Sequence, residues 1–573
     1  MRIIKTLGAA FLLVGTVGAV LVSAAYNENY FTYRADGMIM INGDVFYPLG
    51  VYFIPCCDER PLGDRENPAP GTFWYAWQQE GRGFLFEEFA EHGGNFVMGP
   101  CFHQITREVY CGSWAGEPWD DVLGMDLTDM FETMPNSNDC RLDLEAAGAH
   151  GIKLLPDPSL TYKWDRGEQV HYYYQEYQKF KTIVESDKDE VSKERVFVRE
   201  RPEQERAEYF ADIKNEVVQS SSEEAFFGWW GAQEPAWIVW RLPRVEVPTS
   251  EYLADVYDHL KNLEAAENAN HPVYLEECNA GIVTDMFHDC HASCDILGYN
   301  TLCGPTPETY NEMDPEWQYN FITNAWCSAA GDAGDIGFWS VDGAKPLICC
   351  VGAIHRSREP EFIPYEHQVK FVTYDAIIHR VNGLTWGMYH YVYPENSPPI
   401  LPGETYRLAV KPTLVVLGKT FAEGGINEVL KAPFDDTLVE AVVRLNGDVV
   451  ERTAIVGGDL VPKNHLLSGN YLLEGCLKLV TEEVGPGVYQ DFVYLITANR
   501  KGRNSRTHEP FDEYDVTFKP YFSGDWLATY VLRIESDGTT AQIPVVNGTF
   551  TDTFMGEDVN IYKFQKPPRF GES

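Results

Sequence analysis

Apolar and polar positions change period repeatedly along the chain. Short runs that are apolar at successive positions recur: FYPLGVYFIP (46–55), NFVMGP (95–100), IKLLPDP (152–158), FFGWWGAQ (226–233), PVYLEEC (272–278), CDILGYN (294–300), KPLICCVGAI (345–354) and LTWGMYHYV (384–392). A run without alternation reads as a strand covered on both faces, as in a parallel sheet under helices. Between these runs, apolar residues recur every three or four positions in FLFEEFAEHG (84–93), LDLEAAGAHG (142–151), EYLADVYDHLKNLEAAEN (251–268), EWQYNFITNAWCSAAG (316–331) and VKFVTYDAIIHRVNG (369–383). A long polar helical stretch covers about 172–219, a short helix separates the fifth and sixth runs, and a last helix covers about 405–431. Ahead of the first run, MIMINGDVF predicts a short hairpin. Eight strand–helix units in series specify an α/β fold, the (β/α)₈ TIM barrel.

Beyond about residue 433 the texture changes. LVEAVVRLNGD, YLLEGCLKLV, DFVYLITANR, YDVTFKPYF, YVLRIES and NIYKF are short strands parted by Gly, Asn and Asp. They predict an all-β sandwich covering the barrel's flank. The first 25 residues pair a basic start, MRIIK, with a short apolar core and the small residues Val22-Ser23-Ala24-Ala25. That is the pattern of a cleaved secretory leader. The division expected is therefore 1–25 signal peptide, 26–432 barrel and 433–573 β-sandwich.

Charge and cysteine content narrow the setting. With 86 acidic against 45 basic residues the formal net charge is −41, which repels phosphate backbones and argues against a nucleic-acid partner. No segment after the leader is long and apolar enough to predict a membrane span in the mature chain. A secreted, extracellular location is expected, and in that setting 13 cysteines predict several disulfides with at least one thiol left over.

Barrel chemistry is carried at the C-terminal tips of the strands, so ionisable residues there are the candidates. Glu234 follows an aromatic run and precedes Pro235, which ends the strand. An apolar setting favours its protonated form, as a general acid requires. Glu276 and Glu277 end the fifth strand, and alternation lets one of them face inward as a second carboxylate or pair with a loop cation instead. A separation from Glu234 of about 5–5.5 Å suits retention and about 6.5–9.5 Å inversion. Glu359 and Glu361 are weaker candidates beside Arg356 and Arg358. Asp157, His103, Tyr299 and Trp386 also fall at or near strand tips. Tyr299 is placed either to orient a carboxylate or to pack at the rim, and Trp386 either stacks under a sugar ring or packs at the rim. Trp229 and Trp230 read as core, with Trp237 the more exposed. In FHDCHASC, His288, Cys290, His291 and Cys294 are zinc-ligand types at helical spacing, with disulfides the alternative fate. No organic cofactor is implied.

Four stretches, in order, resemble secreted glycoside hydrolases of the clan A type, a (β/α)₈ barrel with a C-terminal β-sandwich. NGDVFYPLGVY resembles the opening hairpin and first strand, FAEHGGNFV the first helix and second strand, GWWGAQEPAW the fourth strand, and FTDTFMGEDVNIYKF the closing strands of the sandwich. The resemblance implies a carbohydrate substrate and a retaining mechanism with an acid/base on the fourth strand, matched by Glu234, and a nucleophile on the seventh. Gln233 replaces the usual asparagine that contacts the sugar's 2-hydroxyl. KPLICCVGAI offers no carboxylate for the nucleophile. The expected function is hydrolysis of O-glycosidic bonds in an extracellular poly- or oligosaccharide. The rival is a catalytically silent barrel that binds glycans or builds extracellular structure.

Overall fold

A computed structural model describes, in whole or nearly so, residues 31–52, 83–99, 140–156, 223–233, 249–277, 293–300, 345–352, 366–387, 410–456, 472–499, 512–535 and 538–567, with a few others between. The leader, the polar stretch at 172–219, the helix expected over 316–331 and the short helix between the fifth and sixth runs lie outside these residues.

A three-stranded antiparallel sheet opens the chain: β1 (Phe31–Tyr33), β2 (Ile39–Ile41) and β3 (Asp44–Val45). Asn42 and Gly43 both take positive φ, 53° and 86°, as a two-residue type I′ hairpin turn requires. Eight parallel strands follow, β4 (Leu49–Tyr52), β5 (Phe96–Gly99), β6 (Lys153–Pro156), β7 (Trp229–Gln233), β8 (Val273–Glu277), β9 (Ile296–Asn300), β10 (Leu347–Gly352) and β11 (Gly383–Gly387). Each coincides with one of the eight continuous apolar runs, β11 beginning one residue ahead of its run. Their order around the sheet is β6-β5-β4-β11-β10-β9-β8-β7. The two ends meet. Leu154 of β6 bridges Phe226, just ahead of β7; its N–H donates to the Ala225 carbonyl at 2.7 Å, and its carbonyl accepts the Phe227 N–H at 2.8 Å. The sheet is closed into a barrel.

Helices α1 (Gly83–Glu91), α2 (Cys140–Ala149), α3 (Thr249–Ala266) and α4 (Glu366–Ile378) match four of the predicted helical stretches. The helix expected over 405–431 is broken into α5 (Lys411–Gly418) and α6 (Asn427–Lys431). Gly424, between them, takes a φ of 85°, a left-handed conformation that stops a helix and that glycine adopts without a side-chain clash.

Alternation sorts the strand residues into two cores. Leu49, Val97, Trp229, Leu275, Cys349 and Leu384 pack outward with the helices. Phe96, Met98, Trp230, Tyr274, Ile348 and Cys350 fill the lumen, joined by Phe31 and Ile39 of the opening sheet. That sheet closes the N-terminal end of the barrel: Phe31 N–H donates to the Asn270 carbonyl at 3.2 Å, and Asn270 Nδ2 donates to the Phe31 carbonyl at 3.0 Å. At the same end, three side chains standing one residue before a strand each take a backbone N–H of the neighbouring strand. Asn95 Oδ1 accepts from Leu49 at 2.7 Å, Asp295 Oδ2 from Val273 at 2.9 Å, and Asn382 Oδ1 from Leu347 at 3.0 Å.

The last third is two antiparallel sheets. One holds β12 (Leu438–Leu445), β13 (Asp448–Val456), β16 (Glu513–Tyr521) and β19 (Phe550–Met555); the other holds β14 (Leu473–Gly485), β15 (Val488–Asn499), β17 (Tyr530–Ile534), β18 (Thr540–Pro544) and β20 (Val559–Gln565). Val493 and Leu495 of β15 pack between the sheets, while Tyr494, Ile496 and Ala498 join the barrel's outer core. The run DFVYLITAN is therefore apolar on both faces because both faces are covered. At this seam Lys478 is buried. Its ammonium donates to the Ala432 carbonyl at 3.1 Å and lies 3.7 Å from the centre of the Phe434 ring. Burial pushes Lys478 down to about 8, with Arg34 and Arg380 adding to the fall and Cys476 and Asp36 opposing it.

The floor and the seam each generate a test of stability. Asn382→Ala leaves the Leu347 N–H buried without its acceptor, and denaturant unfolding should show a loss of about 1–3 kcal/mol. Between about 8 and 10.5, the folded and ordinary values for Lys478, the unfolded chain binds the proton more readily, so stability from this residue rises with pH. The gain across that window, on the order of 2–3 kcal/mol, should be absent in Lys478→Met when the two proteins' unfolding free energies are compared at each pH.

Candidate active site

At the C-terminal tips of the strands, Glu276 of β8 is fully buried. It shares a strand face with Tyr274, two residues earlier, and Tyr274 belongs to the lumen core. Val273 and Leu275 belong to the outer core. Glu276 is thus on the lumen face of β8. In register, Glu276 lies between Gln233 of β7 and Gly298 of β9.

That pairing with Gln233 depends on a bulge. Trp230 pairs with Tyr274, but Ala232 pairs with Leu275, so Gly231 is an extra residue in β7. Plain alternation from Trp230 would bring Ala232 into phase with the lumen. The bulge shifts the phase by one, and bulges commonly re-aim residues beside active sites. Gln233 therefore stands beside the inward carboxyl. Glu234, the next residue, lies outside the described residues, as do Trp237, Asp157, His103, Glu359 and Glu361.

Two residues matter here that pattern alone passes over. Tyr274 is fully buried, and its ring meets Trp230 edge-on at 6.0 Å and 77°. A side chain at Gly298 would run into the Tyr274 hydroxyl, so the glycine leaves the notch that the phenol fills. Burial and then the Glu276 carboxyl push the phenol well above its ordinary range. A tyrosine two positions before a tip carboxylate is the signal that marks it in the sequence. Tyr299, expected to orient a carboxylate, stands in register with Glu277 and Cys349.

Trp386 is not a sugar platform. It is completely buried in the outer core, and its indole N–H donates to Thr373 Oγ1 of α4 at 3.0 Å. As expected, Trp229 and Trp230 are core. The Trp229 indole donates to Glu264 Oε1 of α3 at 2.7 Å, and the other Glu264 oxygen accepts the His271 N–H at 2.8 Å, with His271 Nδ1 2.9 Å away. Burial acts to raise the Glu264 carboxyl, but the bonds from His271 and Trp229 hold it below its ordinary value.

On β10, Cys349 faces outward and Cys350 the lumen, and the strand LICCVG carries no carboxylate. Burial, followed by Cys350, Asp375 and Glu276, pushes the Cys349 thiol well up, which makes it a poor nucleophile. Cys294, Cys349, Cys350 and Cys476 are all buried thiols. Of the four candidate zinc or disulfide residues only Cys294 is described; His288, Cys290 and His291 lie outside.

A scan against protein-family models and a search of curated proteins find no match. Among solved structures, the chain is similar to a family 5 glycoside hydrolase from Bacteroides vulgatus, at 9% identity and a TM-score of 0.43 over 94% of this chain and 93% of that one. It is likewise similar to an α-L-arabinofuranosidase from Thermotoga maritima (10% identity, TM-score 0.43, 91% and 96% covered) and to a GH30 endoxylanase from Clostridium papyrosolvens (10%, 0.37, 84% and 92%). These structural neighbours are glycoside hydrolases. The fold class itself rests on the strand order and closure described above.

Because Trp386 packs against α4, Trp386→Phe should lower stability by roughly 1–3 kcal/mol through the lost indole bond and volume. Isothermal titration with an oligosaccharide that binds the parent protein should give the same affinity for the variant.

Proposed function

We propose that this chain is a secreted glycoside hydrolase acting on O-glycosidic bonds of an extracellular poly- or oligosaccharide. The observation that carries the reading is Glu276: a fully buried carboxyl on the lumen face of β8, at the end of the barrel where such enzymes work. Glu234, one residue past the Gln233 register partner of Glu276, would protonate the leaving oxygen as general acid. Glu276 would serve as the second carboxyl, either attacking the sugar or activating water. The resemblance of GWWGAQEPAW to the acid/base strand of clan A enzymes supports the role of Glu234, and Gln233 fits as the amide that contacts the sugar. Asp157, His103 and Trp237 remain proposed sugar contacts on the grounds of their sequence positions.

The absence of any carboxylate from β10 favours a second reading, in which the barrel binds glycan and does not cleave it. One experiment separates the two. Glu234→Gln keeps size and hydrogen bonding but has no proton to transfer. General acid catalysis contributes about 10²–10⁴-fold, so turnover of a natural glycan should fall by that order, while a substrate with a very good leaving group should lose much less. A wild type that binds sugar without turnover would favour the silent barrel. Unchanged turnover in the variant would refute the role of Glu234.

A further inference from the structure

We propose that Tyr274 is the positioning residue of the lumen carboxyl: seated in the notch at Gly298, its hydroxyl is the hydrogen-bond donor that orients Glu276 and favours its ionised form. The inference builds on the reading of Glu276 as a carboxyl of the site.

The geometry of three strands leads there. In register, Tyr274 pairs with Trp230 of β7 and Ile296 of β9, one row below Glu276. Yet its hydroxyl occupies the space where a side chain at Gly298 would stand, and Gly298 is the register partner of Glu276. The phenol therefore leans up the barrel and across to β9, bringing its oxygen to the row of the carboxyl. Trp230 holds the ring edge-on from the other side, so its position is set by packing and not by the hydroxyl. Among the described residues the Tyr274 hydroxyl has no hydrogen-bond partner, although it is fully buried. A buried tyrosine hydroxyl ordinarily finds an acceptor. Glu276 is the one carboxyl that the described strands bring to the lumen, it stands on the same face two residues on, and it already acts electrostatically on the phenol. A rotation of the Glu276 side chain, or a single bridging water, completes the bond.

A phenol that merely filled the notch would be silent toward the carboxyl, and Tyr274→Phe tells the two roles apart because it keeps the ring and deletes only the oxygen. The readout is the titration of Glu276 in the full chain without substrate, followed by infrared spectroscopy of protein carrying ¹³C-carboxyl glutamate, with Glu276→Gln identifying the band. Donation to the ionised carboxyl lowers its midpoint, so Tyr274→Phe should raise that midpoint by about one pH unit or more. Gly298→Ala, which displaces the hydroxyl from the notch, should raise it in the same direction, and the double variant should add nothing further. A midpoint that stays put or falls in Tyr274→Phe overturns the proposal, whatever the turnover. Conversely, a wild type without turnover but with the expected shift overturns hydrolysis and leaves the Tyr274–Glu276 pair standing.

Discussion

Everything above the barrel's floor depends on how the backbone N–H groups at the strand starts are satisfied. A closed parallel sheet buries these donors where water does not reach, and each one left alone costs about 1–3 kcal/mol. This chain answers with side chains set immediately before strands: Asn95, Asp295 and Asn382 each take the N–H of the neighbouring strand. Glu264 does the same for His271, two residues ahead of β8, and ties in Trp229. The opening hairpin then covers this end with Phe31 and Ile39. With the floor fixed by polar clamps, the tips are free to carry residues chosen for chemistry, which is the usual division of labour in this fold.

That division explains what can be read from residues alone. The eight strands are legible because strands buried on both faces lose alternation altogether, a pattern no amphipathic helix imitates over so short a run. The Asn42-Gly43 turn is legible because only such pairs tolerate two positive φ values. The choice between Glu276 and Glu277 is not, since parity needs an anchor; the anchor is Tyr274, whose place in the lumen depends on Gly298 in another strand. Gly231 looks like any glycine in an apolar run, so its phase shift is invisible until pairing with β8 is known. Trp386 misleads because an aromatic near a tip looks the same whether it faces a ligand or a helix; Thr373 decides, from a different element. Gly424-Gly425, inside the expected last helix, is a legible stop signal that the helical spacing around it obscures.

Glu264 shows a further limit of pattern. It lies on an amphipathic helix, three residues after Lys261 and just ahead of Ala265 and Ala266, and nothing local marks it as buried. Its burial follows from the indole of Trp229 and the amide of His271 meeting it from β7 and from the approach to β8. Such a carboxylate is selected by partners in other elements, and only the packed barrel reveals it.

The sheet of β14, β15, β20, β17 and β18 has a consequence for how this chain can be divided. Its Tyr494 and Ile496 belong to the barrel's core while Val493 and Leu495 belong to the sandwich's. It is a party wall, and neither room has one of its own. Cutting at the wall would bare an apolar face on both halves, of the kind that recruits other chains. The sandwich is therefore no detachable cassette to be shuffled between hosts.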